Sequence, residues 1–274
     1  MANILHFEFR RCFSGKKLYF TLCLGLVLIC GHIITSVLPL SKWLDAWQGD
    51  YFLTPHSAYG HWIGMDSATV WPTLLYMLFP FLSAIPFSDT AFWDFDSGYC
   101  IQILSRTSKR KYLAAKAFII FSVGFTFAAL VLLLDFIGTA AFLPLVTPEA
   151  TTNLYGINNR TLFPEIFYNI PLVYTLLYIL LDALLLGAWN CLVLMTSVLL
   201  HDRLQALLAP FLAYLLIYFV LNWLGLDNFS LFALFLPYQP ANDVSLVTVI
   251  FYCIVVPVFS FTLYFLRRNA SDEL

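Results

Sequence analysis

Few side chains in this sequence are typed and spaced for chemistry, and most of those argue against catalysis. A loop that cradles phosphates needs G-x-x-x-x-G-K-[ST], so that successive backbone N–H groups can wrap the phosphate oxygens. No such string occurs, and Gly15-Lys16-Lys17 lacks both the earlier glycine and the hydroxyl. The chain is therefore expected to bind no ATP itself and to be no enzyme. His56, His61 and Asp66 miss the i, i+4 spacing of a helical metal pair, and none of the six cysteines forms a CxxC. Neither a metal site nor a disulfide is expected. Two carboxylates remain, Asp135 and Asp182, each inside a long apolar run. Charges in such runs are costly and are functional candidates by default. With Asn190 they are candidates for a translocation pathway; for Asp135 a place at the outer mouth is the plainer reading, while for Asp182 a structural hydrogen bond between helices stands level with a place in a cavity.

The elements that must position these groups follow from composition. Residues of the hydrophobic types make up 61% of the chain, charged residues 11%, and the mean hydropathy is +0.83. A soluble domain carries about a quarter charged residues, so the solvent for most of this surface is expected to be lipid. Spanning a hydrocarbon core takes about 20 apolar helical residues. Six runs meet or approach that length: 18–38, 69–87, 117–143, 170–200, 206–224 and 246–266. The expected fold is thus an all-α integral membrane protein with six transmembrane helices, one transmembrane domain over residues 1–274. The fourth run is about half again too long to cross upright, and must tilt, kink or project. The first begins too late, and runs too long, for a cleavable signal peptide.

Lysine and arginine set the orientation. Cytoplasmic N- and C-termini leave only Lys42 and Arg160, of fourteen basic residues, outside. Counting along the helices puts Asp135 about 27 Å above the inner end of its run, and Asp182 roughly 18 Å below the outer end of its own.

Two inner segments are patterned. In residues 4–17 the apolar Ile4, Leu5, Phe9, Cys12 and Phe13 fit one side of a helix, while Glu8 and Arg11 offer a polar side. With Arg10, Lys16 and Lys17 this describes an amphipathic helix lying in the inner interface, or more simply a charged flank that fixes orientation. The loop 88–116 has Asp89, Asp94 and Asp96 first, then Gly98 and an apolar turn or two through Ile101 and Leu104, then Arg106, Lys109, Arg110, Lys111 and Lys116. Acid near a helix start and base near its end both favour the helix dipole, so a short helix over 98–105, parallel to the membrane, is expected.

The order Asp94, Asp96, Ser97-Gly98, Leu104-Ser105-Arg106, Ser108, Arg110, Tyr112-Leu113, Lys116 resembles the segment between spans two and three in permeases of the type-two ABC transporter family. Thr107 stands where that family usually has proline, and Lys109 interrupts its Ser-Arg pair. Glu8-Phe9-Arg10-Arg11 before Lys16-Lys17 is similar to the family's interfacial helix. The apolar stretch 228–237 lies where family members dip short re-entrant helices between spans five and six. The resemblance implies the membrane half of an exporter in the bacterial cytoplasmic membrane, moving an amphipathic or hydrophobic cargo such as a peptide, lipid or drug. It implies a separate cytoplasmic P-loop ATPase that holds ATP and Mg, docking on Asp94, Asp96, Gly98, Ile101, Leu104, Ser105, Arg106 and Arg110. It also implies a second permease subunit, identical or related; nucleic acid is not an expected partner. Two alternatives stay open, a carrier driven by an ion gradient and a membrane-embedded assembly or immunity factor.

Overall fold

The computed structural model describes residues 2–46, 56–105, 107–150, 155–238 and 243–270, and these are helical with short connections. α1 (Ala2–Phe13) leads through Gly15 into α2 (Lys16–His32), which continues through a π turn at Ile33–Val37 into α3 (Leu38–Ala46). After α4 (Ala58–His61) come α5 (Trp71–Ala84), α6 (Thr90–Asp96) and α7 (Tyr99–Leu104). α8 (Lys109–Phe142) is followed by α9 (Pro164–Asn169), α10 (Pro171–Asn190), α11 (Leu192–Leu199) and α12 (Arg203–Trp223). A 3₁₀ turn at Asp227–Phe229 precedes α13 (Leu231–Phe235). α14 (Leu246–Ile250) and a π turn at Phe251–Val255 lead into α15 (Val256–Ala270).

Five of these stretches are long and apolar enough to cross a membrane: Lys16–Leu44, Lys109–Phe142, Pro171–Leu199, Arg203–Trp223 and Leu246–Arg268. The sixth expected run is helical only over the 14 residues of α5, about 21 Å of helix against a hydrocarbon core of about 30 Å. Pro86, which has no N–H to continue the ladder, follows its end. The exterior is apolar, with Leu212, Leu216, Phe219 and Trp223 of α12 and Val247, Ile254, Val258 and Phe259 of the last stretch exposed. Long apolar helices under an apolar skin make this a helical, multi-pass membrane protein.

Two boundaries differ from expectation. α8 starts at Lys109, well before the apolar run at 117, because Tyr112, Leu113, Ala115 and Lys116 form a buried face that holds the first turns in helix. The overlong fourth run is interrupted at Cys191, between α10 and α11. α10 packs most extensively on α8, and small residues make that approach possible. A Cβ on Gly124 would stand 3.2 Å from the Gly187 Cα and 2.3 Å from the Asn190 amide nitrogen, and one on Gly187 would meet the Phe121 carbonyl at 2.9 Å. Between α12 and α14, the stretch expected to hold a re-entrant pair forms the 3₁₀ turn and α13, whose Leu231, Phe232, Leu234 and Phe235 are buried against α5, α10 and α12.

Candidate functional site

Charge gathers at the end of the bundle that holds α1, α6, α7, the α11–α12 connection and the last turn of α15, here called the basic end. α1 lies on the first turns of α8, with the Phe9 ring edge-on to Phe118 at 6.5 Å. Its protein-facing side carries Cys12 and, contrary to the expected polar side, Glu8, whose side chain is buried. The reason is a counter-charge. Lys116 of α8 donates to Glu8 Oε2 at 3.1 Å and to Asp94 Oδ2 at 2.5 Å. Arg11 forks onto both Asp94 oxygens at 3.0 and 2.7 Å, and Tyr112 Oη donates to Asp94 at 2.7 Å. Two carboxylates and two cations therefore balance inside a joint between α1, α6 and α8. Burial alone would raise the Asp94 carboxyl; the charge of Lys116, with hydrogen bonds from Arg11, Lys116 and Tyr112, outweighs it and holds the group below the usual carboxylate range.

A second joint stands beside it. Asp89, at the start of α6, is buried and takes both Lys17 from α2 and Arg203 from α12, whose Nε donates at 2.7 Å. Three arginines also lie over aromatic rings of the same hairpin: Arg11 over Tyr99 at 4.6 Å, Arg203 over Trp93 at 5.2 Å and Arg268 over Phe95 at 3.8 Å. Such cation–π contacts each contribute about 0.5–2 kcal/mol. Gly98 makes the turn between α6 and α7 with φ +71°, a left-handed conformation that glycine adopts without cost.

The residues expected to meet a partner divide by facing. Asp96, Ile101, Ser105 and Arg110 are exposed and Leu104 is half-buried, while Arg106 lies outside the described residues. Ser105 Oγ is bonded to the Gln102 carbonyl. Asp94, expected among the docking residues, has its side chain wholly buried and bonded to Arg11, Tyr112 and Lys116, so it braces the joint from inside. Arg10 and Lys16 of the interfacial segment are exposed. Between α1 and α7 a cavity of about 800 Å³ opens, lined by Ile4, Phe7, Tyr99, Gln102, Ile103 and Ser105 among others.

The three candidates in the apolar runs do not come together as one site. Asp182 accepts a hydrogen bond from Tyr76 Oη at 3.1 Å, and Tyr214 Oη donates to the Tyr76 carbonyl at 2.8 Å. Asn190 pairs with Ser83 twice, accepting from its hydroxyl and donating to its carbonyl. The bonds of Asp182 and Asn190 tie α5 to α10. Asp135 is buried and takes His32 Nδ1 at 2.7 Å and the Ile63 N–H at 2.6 Å. His32 Nε2 lies 3.3 Å from Asp66, which also accepts from Ser36, Thr69 and the Ala68 N–H. Those bonds hold the Asp66 carboxyl low despite its burial. His56 Nδ1 and His61 Nε2 lie 2.8 Å apart, and burial together with His56 pushes His61 down to about 4. No group of three or more His, Cys, Asp or Glu is arranged to hold a metal among the described residues.

Sequence reasoning missed Lys116 as the hub and the His32–Asp135 pair. In both, a polar side chain in or beside an apolar run finds a carboxylate more than 100 residues away, Glu8 for Lys116 and Asp135 for His32. No family model, no curated protein and no solved structure matches the chain.

Proposed function

We propose that the chain is the transmembrane permease subunit of an ATP-driven exporter, and that α1, α6 and α7 form its coupling element. The observation that carries this reading is the pair of buried ionic joints. They fasten one short hairpin to the starts of α2, α8 and α12, so a push on the hairpin is delivered to three long helices at once. The exposed Asp96, Ile101 and Ser105 of the hairpin, with Arg110 in the first turn of α8, are the surface offered to a separate cytoplasmic P-loop ATPase, which would hold the ATP and Mg. Charge bias places this end and both termini in the cytoplasm; α5 serves as a sixth, short span, and α13 as the re-entrant element. A second permease subunit completes the pathway in the cytoplasmic membrane, for an amphipathic or hydrophobic cargo.

The test is affinity purification of the tagged chain from native membranes, with ATPase assay and identification of co-purifying subunits. A stoichiometric P-loop ATPase, lost on Ile101→Asp with Arg110→Glu while the chain still inserts, is the expected result. Recovery without any ATPase, or binding that survives both substitutions, refutes the coupling assignment. The buried carboxylates around His32 favour one second reading, a carrier driven by an ion gradient. Transport that follows a proton gradient and persists without ATP would select it.

A further inference from the structure

At the basic end a second cavity, of about 610 Å³, lies between α6, the α11–α12 connection and the last turn of α15. Its lining combines the apolar Phe92, Phe95, Leu199 and Leu200 with the polar His201 and the charged Asp96, Arg267 and Arg268. The apolar runs of the fourth and sixth stretches end at this rim, at Leu200 and Leu266, so it stands where hydrocarbon gives way to headgroups. Arg268 is fixed, stacked on Phe95 and donating to the Ser197 carbonyl at 3.2 Å. Neighbouring Arg203 is committed to Asp89. Arg267 and Asp96, by contrast, are exposed and have no partner among the described residues.

One fixed guanidinium, one free guanidinium and one free carboxylate around an apolar wall match a ligand that has a phosphate, an ammonium and acyl chains. We propose that this cavity binds the headgroup of a zwitterionic phospholipid, a phosphoethanolamine, with the phosphate on Arg267 and Arg268, the ammonium on Asp96 and the chains along Leu199 and Leu200. Basic pockets between membrane helices take lipid phosphates generally. Asp96 is what distinguishes this one, because a carboxylate repels a purely anionic headgroup and attracts an amine. The site shares Asp96 with the surface proposed for the ATPase, but lipid retention is read on the purified chain alone, so its failure and that of the permease reading are distinguishable.

The full chain, purified in detergent, is equilibrated with micelles doped with equal phosphatidylethanolamine and phosphatidylglycerol, and retained lipid is read by native mass spectrometry. Phosphatidylethanolamine should be retained preferentially. Asp96→Asn should narrow the ratio by about 2- to 5-fold, the discrimination that one exposed ion pair supplies. Arg267→Gln should lower retention of both lipids, and Arg110→Gln, outside the cavity, should lower neither. Both cavity side chains are exposed and unpartnered, so the variants should unfold at the parent's temperature. Soluble glycerophosphoethanolamine should displace the lipid where inorganic phosphate at the same concentration does not. Equal retention of the two lipids with no effect of Asp96→Asn, or displacement by inorganic phosphate alone, overturns the proposal.

Discussion

Replacing Lys116 by methionine tests the central joint with little change in volume. Its ammonium touches Glu8 and Asp94 and lies over the Phe87 ring at 4.6 Å. Asp94 would keep Arg11 and Tyr112. Glu8 would not be so served, because Oε1 already has no hydrogen-bond partner and the nearest remaining cation, Arg11, is 3.8 Å from Oε2. The variant would therefore bury two carboxylates against one guanidinium. Removing one partner of a buried pair costs about 3–5 kcal/mol, which for a chain of this size lowers the unfolding midpoint by roughly 6–20 °C. Adding Glu8→Gln restores the balance at one carboxylate and one cation, so the double variant should recover most of the loss. The four corners of this cycle are read as thermal midpoints in detergent, by intrinsic fluorescence. Lys116→Met within about 0.5 kcal/mol of the parent, or additive effects of the two substitutions, would refute the claim that the cluster acts as one electrostatic unit.

Other expectations follow from the same reasoning. His61 titrates near 4 in the folded chain against about 6.5 unfolded. The unfolded state therefore binds a proton first, and stability present above pH 6.5 is lost as pH falls towards 4, by roughly 3 kcal/mol at most; His61→Gln should flatten that part of a midpoint-against-pH curve. Asp94 and Asp66 are both held low. Their contribution is whole above the unfolded carboxylate value of about 4 and disappears only in stronger acid, so Asp94→Asn should reduce stability at neutral pH and weaken the acid dependence below 4. Gly124→Val would drive a branched side chain into Asn190 and Gly187, costing about 1–3 kcal/mol or more by overpacking, whereas Gly225→Ala meets no neighbour and its cost, from φ +71°, should stay near 1 kcal/mol; thermal midpoints separate the two.

How much of this was legible depends on whether a partner is local. The long helices were, because runs of apolar residues need nothing distant to be recognised. Asp94 and Asp96 sit two positions apart, on nearly opposite sides of a helix, so at most one could face inward. Which one is decided by Arg11 and Lys116, from other elements. Glu8 is readable from spacing alone: at i+4 from Ile4 and i−4 from Cys12 it belongs to the apolar side, and a carboxylate there requires a cation. The break at Cys191 has no sequence sign, since neither glycine nor proline stands at it. The Asp66–His32–Asp135 line joins residues separated by 34 and 103 positions, and nothing local encodes it.

The length of α8 has a mechanical side. Its 34 residues make a rod about 51 Å long, and the close contact at Gly124 divides it into arms of about 22 and 27 Å. A rod pivoting on that fulcrum is a seesaw of nearly equal arms. A 3 Å thrust at Lys109 would swing Phe142 by about 3.6 Å the other way, and Asp135 by about 2 Å. The latter stroke is enough to part Asp135 from His32, now 2.7 Å away, so force applied to the ionic joint at one face would unlatch a histidine at the other.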